Sequence, residues 1–239
     1  MLYEYIYDTT IGEFGCIKHK EYEFIRASSD GINIKSHNHL YGRMLEIKNP
    51  ISRIITGTPK KEYWVQMQIQ MEVWDLEQCD FLETSFKEFE SYEDFEKDAD
   101  DTLTHSRKAD GRRKGTIIMF NDGIQPVYEY MPLHINNKKD CDDWIENTID
   151  NADSSLSWIK NIYWYLEVYS CVLVPRNKKW FKAIYPKIKS CWDTILKERV
   201  TGYDHRKPKK RVKKDTKNNI SPKSIIKILI VIFRLIPVL

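Results

Sequence analysis

Two carboxylates and one lysine lie in short motifs that suit metal-dependent chemistry. Asp30 lies in a Ser-Asp-Gly turn, and Glu46, Ile47 and Lys48 form a tripeptide that ends a β-rich run. Side chains alternate along a strand, so Glu46 and Lys48 are predicted to share one face. Oxygen ligands from Asp30, Glu46 and the Ile47 carbonyl suit a hard divalent cation such as Mg²⁺, with Mn²⁺ as the alternative. Lys48 would orient or deprotonate a water or stabilise charge on a phosphate, which predicts metal-assisted hydrolysis of a phosphodiester.

The same motifs also fit a purely structural role. A Glu-x-Lys sequence on a strand is often an exposed ion pair, and Asp-Gly is a common turn. Spacing alone therefore leaves the catalytic and the structural interpretation open.

The elements that would position these residues form an α/β unit. β-rich runs begin at Glu13, Glu23 and Leu40 and precede a helix, for which Thr58 is the predicted N-cap and Pro59 the first helical residue. A further strand follows from Cys79. The apolar side chains of the helix recur at helical spacing and form one stripe, which comprises Tyr63, Trp64, Met67, Met71 and Trp74.

A second block follows this unit. GTIIMF and PVYEYMPL are predicted to form a hairpin around NDGIQ, followed by a helical region from Asp142, a strand from Glu167 and an amphipathic helix from Trp180. The order of elements predicts an α/β fold with a small mixed central sheet flanked by helices, and a C-terminal α+β extension. We expect a core at residues 1–90, the extension at 91–205 and a basic, then apolar tail at 206–239.

The order of three motifs resembles a known family. SSDG, then LEIKNP, then YWVQMQIQM resemble the motifs of YqaJ-like viral recombinases and of their relative lambda exonuclease, which are PD-(D/E)XK nucleases. The flanking segments GCIKHKEYEF and CDFLE and the later KNIYWYLEVYSCVLVPRNKKWF resemble giant-virus members. The resemblance covers most of the chain and implies a restriction-endonuclease-like core.

The resemblance also implies roles for individual residues. Asp30 and Glu46 match the metal-binding acids, Lys48 matches the catalytic lysine, and Gln68 matches a glutamine near the attacking water. Helical geometry places Gln68 at one edge of the apolar stripe, and Gln66 and Gln70 beyond the other edge. Periodicity leaves open which edge faces the metal.

The chain departs from the family pattern at three places. Ser29 replaces a proline, and Asn49 replaces a cysteine. Family members have a longer N-terminal segment with a helical acid near the metal, and Glu4 lies in what resembles the tail of that first helix. We therefore expect a truncated or split reading frame with an exposed apolar sheet face.

Basic clusters are the candidate contacts to DNA phosphates, with solvated hairpin tips as the alternative. A basic tail at 206–214 adds a further candidate for DNA binding or nuclear import, and the apolar 225–239 is too short and too charged for a comfortable membrane span. The candidate DNA-binding residues are Arg112, Arg113, Lys114, Arg176, Lys178 and Lys179.

Composition sets broad limits on the protein class. The 239 residues are 41% hydrophobic and 13% aromatic, which is enough for a packed core, and the net charge of +3 identifies no partner. Five scattered cysteines without a CxxC pair favour a reducing compartment over a disulfide framework or a structural zinc site.

The family resemblance implies a magnesium-dependent DNA exonuclease that acts in viral recombination or replication. It implies DNA as the substrate, with a homo-oligomer and a single-strand annealing protein as further partners, in the host cytoplasm or nucleus. The alternative is a non-catalytic remnant that binds DNA or another protein. Membrane association through the tail is a third and weaker hypothesis.

Overall fold

The chain folds as a mixed α/β protein. The computed structural model describes residues 1–98 and 112–207. The helices within these ranges are α1 (Leu2–Tyr7), α2 (Lys61–Trp74), α3 (Tyr92–Lys97), α4 (Lys138–Asp150) and α5 (Lys178–Thr201), and a short 3-10 helix follows at Asp204–Arg206. The strands are β1 (Ile11–Gly12), β2 (Ile17–Lys18), β3 (Arg26–Ala27), β4 (Gly31–Asn33), β5 (Met44–Lys48), β6 (Gln78–Glu88), β7 (Lys114–Asn121), β8 (Pro126–Tyr130) and β9 (Ser157–Pro175).

Seven of these strands form one sheet in the order β1-β4-β5-β6-β9-β7-β8. Strands β2 and β3 form a separate two-stranded sheet. The β1/β4, β4/β5, β7/β8 and β7/β9 pairs are antiparallel. The predicted α/β class is confirmed, whereas the restriction-endonuclease-like core and the separate C-terminal extension stay predictions.

Contacts divide the chain into two compact units, each built from three segments. The first unit comprises Met1–Thr10, Ile47–Thr58 and Phe81–Cys171, and the second comprises Ile11–Glu46, Pro59–Asp80 and Val172–Leu239. The expected boundary at residue 90 falls inside the third segment of the first unit. The division into a core, an extension and a tail therefore stays a prediction.

The core of the second unit is built around α2. Val65, Ile69 and Val73 lie one turn apart on this helix and pack with the buried Ala27 of β3 and Phe181 of α5. The predicted stripe is only part of the buried surface, although its members Met67 and Met71 are fully buried. The helix is thus apolar around more of its circumference than one amphipathic face requires, because several elements pack against it.

The N-terminus of α2 differs from the prediction. The N-cap is Lys60, whose side chain makes no capping hydrogen bond, and Thr58 and Pro59 precede the helix. The first turn closes through Trp64 N, which donates to Lys60 O at 2.9 Å. The φ value that proline imposes suits an extended segment as well as the first helical position, so the Thr-Pro pair could not mark the helix start.

The first unit contains the predicted hairpin. β7 and β8 pair from Asn121↔Pro126 to Ile117↔Tyr130, which confirms this assignment. Asp122 Oδ1 accepts hydrogen bonds from two backbone N–H groups of the turn, and Gly123 there has a φ of 89°. Asx turns and positive-φ glycines are the chemistry that a tight hairpin requires.

The later elements are present but begin earlier than predicted. α4 starts at Lys138 rather than near Asp142, because the Asn137 side chain caps it by accepting from Asp140 N. β9 starts at Ser157, well before Glu167. The described residues include no helix that is both long and apolar enough to cross a membrane. The apolar segment 225–239 and the tail beyond residue 207 lie outside the described residues.

Candidate metal centre

Glu46 of β5 is a fully buried carboxylate that accepts two side-chain hydrogen bonds. Gln66 Nε2 donates to Glu46 Oε1 at 2.6 Å, and Gln70 Nε2 donates to Glu46 Oε2 at 2.8 Å. Gln66 and Gln70 lie one turn apart on α2, so a single helix face supplies both donors. A buried acid needs such donors, because burial removes the water that would otherwise solvate it.

Asp30 lies directly before β4 and two residues after Ser28, which is hydrogen-bonded to Gln70. Gln70 Nε2 donates to Ser28 O at 2.9 Å, in addition to its bond with Glu46. The antiparallel register pairs Gly31 with Leu45, so its continuation by one residue sets Asp30 opposite Glu46. Opposed residues of antiparallel strands point to the same side with their Cβ atoms about 5 Å apart. Asp30 is exposed whereas Glu46 is buried, and a metal site shared by these two acids stays a prediction.

Gly31 allows β4 to pack closely against β1, because glycine has no side chain. Its backbone is buried beside β1, and an added Cβ atom would overlap Cγ2 of Ile11. Its φ is not in the left-handed region. The glycine next to Asp30 is therefore needed for close strand packing rather than for a special turn conformation.

Lys48 follows Glu46 by two residues in the same strand. β5 extends through Lys48, and side chains alternate along a strand, so Glu46 and Lys48 lie on one face of β5. Both Ile47 and Lys48 are half-buried. The functional roles of Ile47 and Lys48 stay predictions.

Gln68 does not share the position of its two neighbours. Its Nε2 donates to Pro175 O at 3.0 Å, and its Oε1 accepts from Asn177 N at 2.6 Å. Residues two apart on a helix are rotated by about 200°, so Gln68 lies on the side of α2 opposite Gln66 and Gln70. The expected placement of Gln68 beside the metal is corrected, and the edge that carries Gln66 and Gln70 is the one that faces Glu46.

The oxygen donors around Glu46 fit a hard divalent cation. Asp30 and Glu46 supply carboxylates, and Gln70 Oε1 and Ser29 Oγ are buried atoms that have no hydrogen-bond partner among the described residues. Mg²⁺ binds through one or two carboxylates and keeps several waters, so two acids suffice for it. Across residues 1–98 and 112–207, no group of three or more His, Cys, Asp or Glu side chains could hold a metal.

Three of the candidate DNA-binding residues are structural. Lys114 is fully buried, donates to Phe95 O and lies 4.4 Å from the centre of the Phe95 ring. Arg113 is buried and donates to the carbonyl oxygens of Leu133 and Ile135. These donors are occupied inside the first unit, so the expectation that Arg113 and Lys114 bind phosphate is corrected.

Arg176 is also an internal cation, with 5% of its side chain exposed. It pairs with Glu72, Asp75 and Glu77 at 2.8, 2.9 and 3.3 Å. A phosphate would have to displace three carboxylates, so the expected DNA contact is corrected here too. A run of basic residues in the sequence cannot reveal such burial, because the acids lie elsewhere in the chain.

The other basic candidates remain at the surface. Lys178 is 60% exposed and pairs with Glu77, and Lys179 is exposed. Arg112 is half-buried. Their contact with DNA stays a prediction, and the preceding basic residues 107–108 lie outside the described residues.

Comparisons with known proteins agree with the motif order. Residues 1–77 match the YqaJ-like viral recombinase domain. An uncharacterised protein of Acanthamoeba polyphaga mimivirus is 32% identical over 226 residues, which cover 82% of this chain and 41% of that protein. The chain thus spans about two fifths of the length of this curated relative.

Solved structures give a weaker likeness. The alkaline exonuclease LHK-Exo from Laribacter hongkongensis aligns with a TM-score of 0.31 and 21% identity, over 62% of this chain and 58% of that chain. The same enzyme in complex with dAMP aligns with a TM-score of 0.30 and 22% identity, over 62% and 57%. The domain assignment depends on the sequence match alone, which identifies a YqaJ-like viral recombinase domain in residues 1–77.

Proposed function

We propose that this chain is a metal-dependent nuclease that hydrolyses DNA phosphodiester bonds from DNA ends. The observation that carries the proposal is the buried Glu46, whose two oxygens accept hydrogen bonds from Gln66 and Gln70. Continuation of the Gly31–Leu45 register by one residue supports a position of Asp30 opposite Glu46. The two glutamine donors compensate for the burial of Glu46, and a divalent cation would balance the charges of both acids. The YqaJ-like match over residues 1–77 contains every residue of this set.

The proposed division of labour follows from position. Asp30 and Glu46, with the Ile47 carbonyl, would hold Mg²⁺ or Mn²⁺, which would supply Lewis-acid stabilisation of the phosphate and a more acidic water. Gln66 and Gln70 fix the orientation of the Glu46 carboxylate. Asp30 is open to solvent, so it provides the side from which a phosphate can approach.

Lys48 would act on the reacting water or on the phosphate oxygens. Lys48 follows Glu46 by two residues in β5, and the alternation of side chains along a strand supports a position on the same face as the buried acid. A positioned amine can orient or deprotonate a water, or balance charge that develops on the phosphate in the transition state. Either action requires the amino group of Lys48, which methionine lacks.

The test compares isosteric variants on linear duplex DNA. We expect Asp30→Asn, Glu46→Gln and Lys48→Met each to lower Mg²⁺-dependent cleavage by at least about 100-fold, the usual scale for loss of an acid-base or metal-binding group. Glu23→Gln serves as the control, because Glu23 is an exposed acid of the same unit that lies outside the proposed site.

The readout separates the proposed enzyme from its alternative. Release of nucleotides from a 5′-labelled and a 3′-labelled duplex reports cleavage and its polarity, and a gel-shift titration in Ca²⁺ reports binding. Unaltered cleavage in the three variants would reject the assignment. Salt-sensitive DNA binding without cleavage in either Mg²⁺ or Mn²⁺ would instead identify a non-catalytic DNA-binding protein.

A further inference from the structure

We infer that Gln68 and Arg176 are positioning residues that fix the rotation of α2 about its axis and thereby aim Gln66 and Gln70 at Glu46. The consequence for catalysis rests on the proposed function, whereas the positioning itself is a property of the second unit. The two residues act on the side of α2 that does not touch Glu46.

The observation behind this inference is a polar clamp around the tripeptide Pro175–Asn177. Gln68 binds this tripeptide at both ends, through Pro175 O at 3.0 Å and Asn177 N at 2.6 Å. An amide that uses both its donor and its acceptor on two backbone groups holds one orientation only. Gln68 is almost fully buried, so water cannot replace either bond.

Arg176, in the middle of the tripeptide, completes the clamp one turn further along α2. Its Nε and Nη2 both contact Glu72 Oε2, at 2.9 and 2.8 Å, while Nη1 reaches Asp75 Oδ1 and Glu77 Oε1. Its backbone N also donates to Glu77 O at 2.9 Å. Glu72 is four residues after Gln68, so the two side chains form one polar edge of the helix.

The charges on the clamp show how strongly Arg176 engages its partners. The hydrogen bond from the Arg176 guanidinium is the main cause that lowers the pKa of Asp75, and the charges of Lys20 and Arg176 act in the same direction. Three carboxylates around one buried guanidinium would repel each other without it. Arg176 therefore holds together the C-terminal end of α2 and the loop that follows it.

Because α2 is a rigid helix, the clamp on one side also determines the orientation of the side chains on the opposite side. Gln66 and Gln70 point about 200° away from Gln68, so a rotation of α2 that loosens the clamp also turns both donors relative to β5. The donor distances to Glu46, 2.6 and 2.8 Å, leave little room for such a rotation before the bonds weaken. Residues that orient a metal ligand indirectly commonly change metal affinity by about 10- to 100-fold when they are replaced.

The first test reads the positioning without a metal or a substrate. The sequence contains five glutamines, so ¹⁵N labelling of glutamine side chains gives a short set of amide signals; they arise from residues 66, 68, 70, 78 and 125. We expect Arg176→Met and Gln68→Met to shift the Gln66 and Gln70 signals. Hydrogen exchange of the Gln70 side-chain amide should accelerate by about tenfold, because its buried bonds open more often.

A matched control removes a different ion pair. Lys189→Met breaks the pair between Lys189 and Asp193 on α5 and does not touch α2. It should leave the Gln66 and Gln70 signals unchanged. If Arg176→Met fails to fold because three acids lose their cation, Gln68→Met, which alters no charge, decides the question. Parent-like Gln66 and Gln70 signals in a folded clamp variant would overturn the inference.

The second test asks whether the clamp acts through the two glutamines. In the parent, Arg176→Met should raise the Mn²⁺ concentration for half-maximal cleavage by about tenfold. In a chain that already carries Gln66→Leu and Gln70→Leu, the same change should add less than about twofold, since coupled residues are not additive. An equal factor in both backgrounds would show a general loss of stability and would refute positioning.

Failure of the proposed function would look different. Should Glu46→Gln leave cleavage and its metal dependence unaltered, the nuclease assignment fails, and the amide signals of Gln66 and Gln70 still decide whether Gln68 and Arg176 position α2.

Discussion

Gln66 and Gln70 make the same type of hydrogen bond to the same carboxylate but differ in burial, and this difference predicts unequal stability losses. Gln70 is almost fully buried, whereas Gln66 is half-buried. Gln70 also donates to Ser28 O, so its replacement removes two hydrogen bonds, one of them to the buried Glu46. Replacement of Gln66 removes one donor at a position that water can reach.

The magnitudes follow from these contacts. A hydrogen bond to a charged acceptor contributes about 1.5–3 kcal/mol and one to a neutral carbonyl about 0.5–1.5 kcal/mol. We expect Gln70→Leu to lower the free energy of unfolding by about 3 kcal/mol. We expect Gln66→Leu to lower it by about 1 kcal/mol, because only one hydrogen bond is lost and the half-buried Gln66 side chain already has access to water. The change in helix propensity is the same at both positions, and the greater apolar burial of a leucine at position 70 works against the difference. A difference of up to about 2 kcal/mol therefore reports the lost hydrogen bonds.

Urea-induced unfolding, followed by the combined fluorescence of the seven tryptophans, measures both losses, and Trp64 and Trp180 of the second unit contribute to this signal. The centres of these two rings lie 5.0 Å apart in an edge-to-face arrangement, so their emission reports the packing of α2 on α5. Equal losses in the two variants, or a larger loss for Gln66→Leu, would refute the claim that the buried amide is the main support of Glu46.

Four further outcomes are expected. Lys114→Met should lower the unfolding free energy by about 2 kcal/mol without changing DNA affinity, because it removes a buried cation that pairs internally. Lys179→Met, at an exposed position, should lower DNA affinity in a gel-shift titration and leave the unfolding free energy unchanged. Equal effects of the two changes on DNA affinity would contradict this. The pKa of Asp75 in the folded state lies below its ordinary 3.8, so the pairing of Asp75 with Arg176 stabilises the fold above that pH and is lost as the pH falls through the lowered pKa. The difference in unfolding free energy between the parent and Asp75→Asn should therefore shrink on acidification. A constant difference would count against this pairing. Gly31→Ala should lower the free energy of thermal unfolding by about 1–3 kcal/mol and reduce cleavage, because the new methyl group overlaps β1 and displaces the turn before β4. A melting temperature equal to that of the parent would show that the strands accommodate the methyl group without strain.

The sequence predicted the elements with strong local signals. The β7/β8 hairpin was predicted correctly because an Asn-Asp-Gly turn between apolar runs has few alternatives. Strand β6 and helix α5 were found for similar reasons of periodicity. The short strand β4 was missed because its three residues lie between two turn motifs and gain their strand partners only from β1 and β5.

Burial of charged residues could not be predicted from the sequence. Lys114 occurs in a basic run that resembles a phosphate-binding cluster, yet its partners are the Phe95 carbonyl, Asp98 and the rings of Phe89 and Phe95, all of which lie earlier in the chain. Arg176 is likewise neutralised by acids about one hundred residues away. Local charge density thus predicts a DNA contact wherever the compensating acids are remote in sequence, and only the fold distinguishes a free cation from an internal one.

The spacing of the glutamines in α2 carries more information than any one of them. Residues two apart on a helix fall on opposite sides, so Gln66 and Gln70 must face one way and Gln68 the other. A motif with three alternating amides therefore cannot place all of them at one metal. One side has to support the acid, and the other side has to attach the helix to something else, which here is the tripeptide Pro175–Asn177. The two roles depend on each other, because the same rigid helix transmits any rotation from one face to the other.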